Sequence, residues 1–264
     1  MTNPVGPTNK IAFQGQLGAY SDMACRVVHP EMETLPCPSF EDVFASVRDA
    51  IADLAMIPIE NSVAGRVADI HHLLPESGLH IIAEHFQPVN HHLLAPAGET
   101  LETLKIVRSH HQALSQCRNS IRALGLEPII HADTAGAAKE ISEHDLTGVA
   151  AIASELAAEI YGLNILKRSM EDEIHNTTRF IIMTHEPYDP DPDQGPVMTS
   201  FVFQVRNVPA ALYKAMGGFA TNGVNMTKLE SYMVRGEFTA TQFYADIEGH
   251  PGHASVRLAL EELG

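Results

Sequence analysis

The feature that most constrains this chain is a change of period. Over residues 10–184, short apolar runs alternate with segments whose apolar residues recur at helical spacing, and the stretch 185–198 that follows carries four prolines. Alternation of this kind is the pattern of βα units built around a mainly parallel sheet. It predicts strands over 11–13, 53–59, 80–83, 104–107, 127–131, 148–153 and 180–183. Helices are predicted over 19–28, 40–50, 112–124, 134–143 and 155–161. The proline-rich stretch can hold neither a helix nor a central strand, so it reads as a linker over 188–198. Beyond it the period changes. A strand over 199–205, a helix over 209–220, strands over 225–233 and 238–247 flanking a turn at Arg235-Gly236, and a helix over 253–263 make a small α+β module of order βαββα.

A chain of 264 residues with 45% hydrophobic and 19% charged residues has the composition of an ordinary soluble globular protein with two or three domains. Lys+Arg 17 against Asp+Glu 33 leaves a net charge of −16, which repels nucleic acid and acidic membrane surfaces. An anionic ligand therefore needs a locally positive pocket. No run approaches the roughly 18 apolar residues of a membrane span, and Met1-Thr-Asn-Pro-Val-Gly-Pro7 has no signal-peptide pattern, so a cytoplasmic location is expected. Cys25, Cys37 and Cys117 are widely spaced and read as reduced, with Cys117 a small core hydrophobe. The 15 histidines include adjacent pairs whose side chains diverge, and no His-Glu-x-x-His or Cys-x-x-Cys pattern occurs; no metal or other cofactor is expected.

Four segments carry polar side chains where an open α/β sheet would expose them. Glu60, Asn61 and Ser62 follow an apolar run and would project past the carboxyl end of a strand; the alternative is a helix cap at Ser62. Ser109 to Cys117 opens a helix whose unpaired N–H groups suit a carboxylate. Gln14-Gly-Gln-Leu-Gly18 lacks the spacing of a dinucleotide or phosphate loop, though its glycines allow close approach to a small ligand. Thr178 and Arg179 place a hydroxyl and a guanidinium just before an apolar run, half of an anion-handling site, although a plain strand start after a polar turn gives the same residues.

Taken in order, Pro58-Ile-Glu-Asn-Ser62 with Gly65, Ser109-His-His-Gln-Ala-Leu114 to Cys117, Asp133-Thr-Ala-Gly-Ala-Ala138 and Asn176-Thr-Thr-Arg-Phe180 resemble prephenate dehydratases. The C-terminal module resembles an ACT domain through Ala211-Leu-Tyr-Lys-Ala215, the stretch Asn222 to Ser231, and Tyr244 with Asp246. The resemblance implies an α/β fold: a two-lobed catalytic region like that of periplasmic binding proteins over 8–187, with lobe one about 8–90 and 178–187 and lobe two about 91–177. A ferredoxin-like ACT domain over 199–264, ending before its last strand, would follow. It further implies conversion of prephenate to phenylpyruvate without a cofactor in phenylalanine synthesis, in a homodimer or homotetramer.

Carried onto this sequence, the family's essential threonine falls on Thr178, with Glu60, Asn61 and Ser62 beside it. Substrate-binding positions fall on Ser109, Gln112, Ala113, Leu114, Asn176, Arg179 and Phe180. Arg179 and the helix start at Ser109 would take the pyruvyl carboxylate, and water or Glu60 would supply a proton. L-Phenylalanine as effector would contact Ala211, Leu212, Asn222, Gly223, Val224, Asn225, Met226, Glu230 and Ser231. Two departures touch that module: Ala210 stands where the family commonly has glycine, and Tyr232-Met233 where it commonly has Arg-Pro. A non-catalytic amino-acid sensor and an arogenate dehydratase are the competing readings.

Overall fold

The computed structural model describes residues 7–264 apart from 145, 194 and 234–239. The expected turn at Arg235-Gly236 and part of the linker lie outside the described residues. The chain separates into two compact units, Met1–Pro187 and Tyr188–Gly264.

The strands of the first unit are β1 (Lys10–Gln14), β2 (Glu33–Cys37), β3 (Leu54–Asn61), β4 (Gly65–Arg66), β5 (His80–Pro88), β6 (His92–Ala95), β7 (Ile106–Ser109), β8 (Glu127–Ile130), β9 (Val149–Ala153), β10 (Asn164–Lys167) and β11 (Thr177–Thr184). They form two sheets, ordered β2-β1-β3-β11-β5 with β4 on β3, and β10-β6-β9-β7-β8. The helices are α1 (Tyr20–Val28), α2 (Phe40–Arg48), α3 (Ala68–Leu73), α4 (His111–Gln116), α5 (Arg118–Ala123), α6 (Thr134–Glu143) and α7 (Glu155–Tyr161).

The central strands read as unbroken apolar runs because both of their faces are covered. Val149-Ala-Ala-Ile-Ala153 is buried throughout, and Ile11, Ala12 and Phe13 have no exposed surface. Helix starts are marked by caps: Ser39 accepts from Asp42 N at 3.2 Å, Asp133 from Gly136 N at 2.6 Å, and Ser154 from Ala157 N at 3.0 Å. One buried cluster runs through both lobes, joining Ile11, Phe13, Met56 and Phe180 to Leu94, Ile141, Ala151 and Ala153. At this seam Gly18 has φ +85°, and a Cβ there would lie 2.8 Å from Ala157 Cα.

Several elements differ from the sequence reading. Strand β2 was not expected because Pro36 interrupts its pattern, which an edge strand tolerates. The four-residue strands β6 and β10 and the helix α3 are also additional, and the helix expected over 112–124 is two short helices meeting at Cys117, with φ −111° and ψ 18°. Neither sheet is wholly parallel. β11 runs against β3 and β5, and β6 runs against β9 and β10. β6 and β11 are each the first strand after a crossing between lobes.

The second unit contains β12 (Met198–Gln204), α8 (Ala211–Thr221), β13 (Met226–Met233), β14 (Ala240–Glu248) and α9 (Ala254–Leu263), in the expected order βαββα. The sheet β12-β14-β13 is antiparallel, and Phe201, Met226 and Leu263 bridge its two small clusters, one around Phe219 and Ile247 and the other around Phe203 and Phe243. Ala210, which caps α8, sits at φ 64° and ψ 11°, a left-handed conformation that glycine adopts without strain.

Candidate active site

The direction of the strands decides which residues meet. In an open α/β sheet the carboxyl ends of parallel strands face the ligand crevice. Here β1, β3, β7 and β8 deliver Gln14 and Gly15, Asn61, His110, and Ala132 and Asp133 to one cleft of about 700 Å³. Because β11 is reversed, its beginning reaches the same edge, bringing Thr178 opposite Asn61. The same reversal in β6 brings His91, just ahead of it, into the cleft wall.

Thr178 is half-buried and lines the cleft together with Phe180, two residues on and so on the same face of the strand. Its Oγ1 accepts from Asn61 Nδ2 at 3.0 Å. Asn61 Nδ2 also donates to Asn176 Oδ1 at 2.8 Å, while Asn61 Oδ1 accepts from the backbone N–H groups of Val63 and Ala64 at 3.0 and 2.8 Å. Two backbone donors thus fix which way the Asn61 amide points, and that orientation supplies a hydrogen to the threonine oxygen. The hydroxyl proton of Thr178 remains available for donation into the cleft.

Behind Asn176 the polar chain continues. Asn176 Nδ2 donates to Gln116 Oε1 at 2.9 Å, His91 Nε2 lies 2.9 Å from the same oxygen, and Tyr20 Oη lies 2.9 Å from His91 Nδ1 and 2.8 Å from Asn90 O. His91 is 2% exposed, and burial pushes its pKa below the ordinary histidine range. Gln116, Tyr20 and His91 all line the cleft, and the sequence reading assigned none of them a role. A signal existed for Gln116: it lies four residues after Gln112, on the same helical face.

Of the expected site residues, Asn61, Gln112, Ala113, Thr178 and Phe180 line the cleft, and Asn176 stands directly behind Asn61. The others are used differently. Arg179 points to the opposite face from Thr178, is 9% exposed, and binds Glu60 Oε1 at 3.1 Å and Glu84 Oε2 at 2.8 Å. Neither Arg179 nor Glu60 is among the described residues that line the cleft; the ion pair engages both of them behind it. Ser62 caps no helix; it donates to His175 O at 2.6 Å and accepts from Thr177 N at 2.9 Å, stapling the strand that enters β11. Ser109 is the last residue of β7 rather than the start of α4, and its buried hydroxyl donates to Ile152 O at 2.5 Å. Leu114 is a core residue at 8% exposure.

Arg66 is the one lysine or arginine among the described residues that line the cleft, which it shares with the acidic Glu41 and Asp133. The rings of His110 and His111, 4.2 Å between centroids and tilted by 52°, stand opposite on lobe two, and burial followed by the neighbouring His111 pushes the His110 pKa down. Such a cleft combines one fixed cation, several neutral donors and an apolar wall of Phe40, Val67, Val89 and Phe180. Such an arrangement can hold a small anion and stabilise negative charge that develops on it.

Comparison with known proteins gives the same picture. Residues 11–188 match the family model described as prephenate dehydratase. The chain is 53% identical to the bifunctional N-acyl-homoserine lactone acylase/prephenate dehydratase of Komagataeibacter europaeus, over 96% of this chain and 90% of that one. It is 45% identical to arogenate dehydratase/prephenate dehydratase 1 of Arabidopsis thaliana, covering 84% of this chain but only 56% of the longer plant protein. The crystal structure of prephenate dehydratase from Arthrobacter aurescens in complex with L-Phe superposes with a TM-score of 0.88 at 30% identity, covering 96% of this chain and 85% of that one. With a family model spanning most of the chain and relatives this similar along it, the chain belongs to the prephenate dehydratase family of lyases.

Proposed function

We propose that the cleft converts prephenate to phenylpyruvate, carbon dioxide and water. The observation that carries this reading is that Thr178 lines the cleft while its oxygen accepts the Asn61 N–H at 3.0 Å, which leaves its own proton available for donation into the cleft. The electron pair of the bond to the ring carboxylate enters the ring, the ring becomes aromatic, and the 4-hydroxyl departs with the electrons of its C–O bond. Thr178 donates a hydrogen bond to the departing oxygen as negative charge develops, and water supplies the proton that completes the leaving water molecule. Gln116, half-buried in the wall, offers a second N–H donor. Arg66 takes a carboxylate in place of Arg179, while the ring carboxylate sits against the apolar wall, where poor solvation favours its loss.

The test is phenylpyruvate formation from prephenate by the full chain. Thr178→Ala is expected to lower kcat by about 10² to 10³, the usual cost of one positioned donor to developing oxygen charge. No product from the wild-type chain sinks the proposal. Arogenate, named for the Arabidopsis relative, differs from prephenate only in carrying an amine for the ketone; formation of phenylalanine from it tests that second substrate. An acyl-homoserine lactone assay tests the acylase activity in the Komagataeibacter relative's name. The buried hydroxyl of Ser109 and the buried, strongly raised thiol of Cys117 argue against either as the acyl nucleophile.

For the second unit the same reading makes an ACT module that binds L-phenylalanine and lowers activity. The complex formed by the Arthrobacter enzyme supports it. The expected contacts at Ala211 and Leu212 begin α8, and Asn222 to Met226 make the turn into β13. Asn222 Nδ2 there donates to Gly218 O and Glu262 Oε1 at 2.8 and 2.9 Å. Glu230 and Ser231 lie within β13, where Glu230 pairs with Lys228 at 3.7 Å. Calorimetric titration with L-phenylalanine checks this, and absence of binding refutes it. A dimer or tetramer, as an ACT module at a subunit interface requires, is measured by light scattering. No helix among the described residues is long and apolar enough to cross a membrane.

A further inference from the structure

The chain of amides behind Thr178 has a direction, and the direction fixes a proton at its far end. Asn61 Oδ1 is held by the backbone N–H groups of Val63 and Ala64, so the Asn61 nitrogen faces Asn176. Asn176 must answer with its oxygen, which turns its nitrogen toward Gln116. Gln116 must in turn present Oε1 to Asn176, and that oxygen also faces His91 Nε2 at 2.9 Å. Two acceptors cannot share a hydrogen bond, so His91 Nε2 carries a hydrogen. At the other side of the ring Tyr20, whose phenol burial keeps protonated, has one proton and two acceptors for it, Asn90 O at 2.8 Å and His91 Nδ1 at 2.9 Å. The hydrogen on Nε2 is therefore dictated by two backbone N–H groups three amides away, and burial, which depresses the pKa of the ring, favours its neutral form.

We propose that His91 is a positioning residue for the dehydration: its Nε2–H holds Gln116 Oε1 inward, so that the Gln116 NH2 group is turned toward the bound substrate. This rests on the dehydratase reading of the cleft. Gln116 Nε2 has no hydrogen-bond partner among the described residues, whereas Gln116 Oε1 has two. Without His91 only Asn176 restrains the amide, and a rotated Gln116 presents an oxygen to an oxygen-rich substrate. The residues of the chain also come from both lobes and both crossings: Tyr20 and Asn61 from lobe one, Gln116 from lobe two, and His91 and Asn176 from the two crossing segments. The crossings are tied together by Val89 N donating to Asn176 O at 2.8 Å. The donor is thus set relative to Thr178 across the cleft floor rather than within one lobe.

The test combines kinetics with histidine spectroscopy. His91→Leu is expected to lower kcat about tenfold or more with KM within about threefold of wild type; Gln116→Leu does the same, and the double variant loses no more than either alone. His91→Gln, which returns an N–H near the place of Nε2, recovers most of kcat. In the 15N-labelled wild-type chain the His91 ring is expected as the neutral Nε2–H tautomer at pH 7.5. An Nδ1–H tautomer, a His91→Leu enzyme with wild-type kcat, or a double variant whose loss is the product of the single losses overturns the proposal. The tautomer is read on the wild-type protein without turnover. It therefore stands whether or not His91→Leu folds, and a wild-type chain that makes no phenylpyruvate overturns the dehydratase reading instead.

Discussion

Replacing Arg179 with methionine separates two roles that the motif alone leaves together. The Arg179 side chain is 10% exposed, and its guanidinium lies 3.1 Å from Glu60 and 2.8 Å from Glu84, whose side chains are each 34% exposed. Deleting one partner of a fully buried pair costs about 3–5 kcal/mol, because it strands a desolvated charge. Both carboxylates here reach water, so the penalty is screened, and about 2–3 kcal/mol is expected. For a unit of this size each kcal/mol moves the thermal midpoint by about 2–4 °C, so Arg179→Met should lower it by about 4–12 °C. Arg179→Lys should fall between, since an ammonium cannot bridge both carboxylates with a planar fork. Adding Glu60→Gln and Glu84→Gln to Arg179→Met should restore most of the lost stability by removing the stranded charges. Calorimetric unfolding of each variant is measured beside its KM for prephenate. A midpoint within about 1 °C of wild type, together with a KM raised tenfold or more, would show that the guanidinium serves the substrate and would refute the ion-pair account.

Gly18→Ala places a Cβ 2.8 Å from Ala157 Cα at a φ of +85°; a loss of about 2–4 kcal/mol in denaturant unfolding is expected, and none would mean the lobe seam is looser than it stands here. Ala210→Gly should act the other way, stabilising the second unit by up to about 1 kcal/mol by relieving the left-handed alanine, as read from its own unfolding transition. Burial pushes the Cys25 and Cys117 thiols well above their ordinary range, so neither should react with a disulfide reagent at pH 8 until the protein unfolds. His91, His92 and His110 have folded pKa values depressed mainly by burial. The unfolded chain therefore takes up protons that the folded one refuses. Their contribution is complete above about pH 7 and is lost as the pH falls below about 6.5 toward the folded values, so urea midpoints should decline over that range; a flat profile contradicts the burial.

How much of this was legible depends on whether a property is local. The βα alternation was legible because central strands such as Val149–Ala153 are covered on both faces and leave an unbroken apolar run. Strand direction was not: no local pattern distinguishes β6 and β11 from their neighbours, yet their reversal is what brings His91 and Thr178 to the crevice. Within the Asn176-Thr-Thr-Arg-Phe180 motif the two-residue period of a strand already ruled out a shared face for Thr178 and Arg179. A reading by residue type, a hydroxyl and a guanidinium side by side, overrode that geometry. The partner of Ser109 was equally illegible: its hydroxyl donates to Ile152 O, a carbonyl 43 positions away. His91 is the limiting case. Nothing near it in sequence indicates a tautomer, because the hydrogen on its Nε2 is determined by the N–H groups of Val63 and Ala64 through three intervening amides. A chain of polar groups fixed at one end passes orientation from residue to residue as strictly as a backbone passes register. Substitutions anywhere along it should therefore converge on one kinetic effect, a lower kcat at nearly constant KM, although the residues are scattered over the whole catalytic unit.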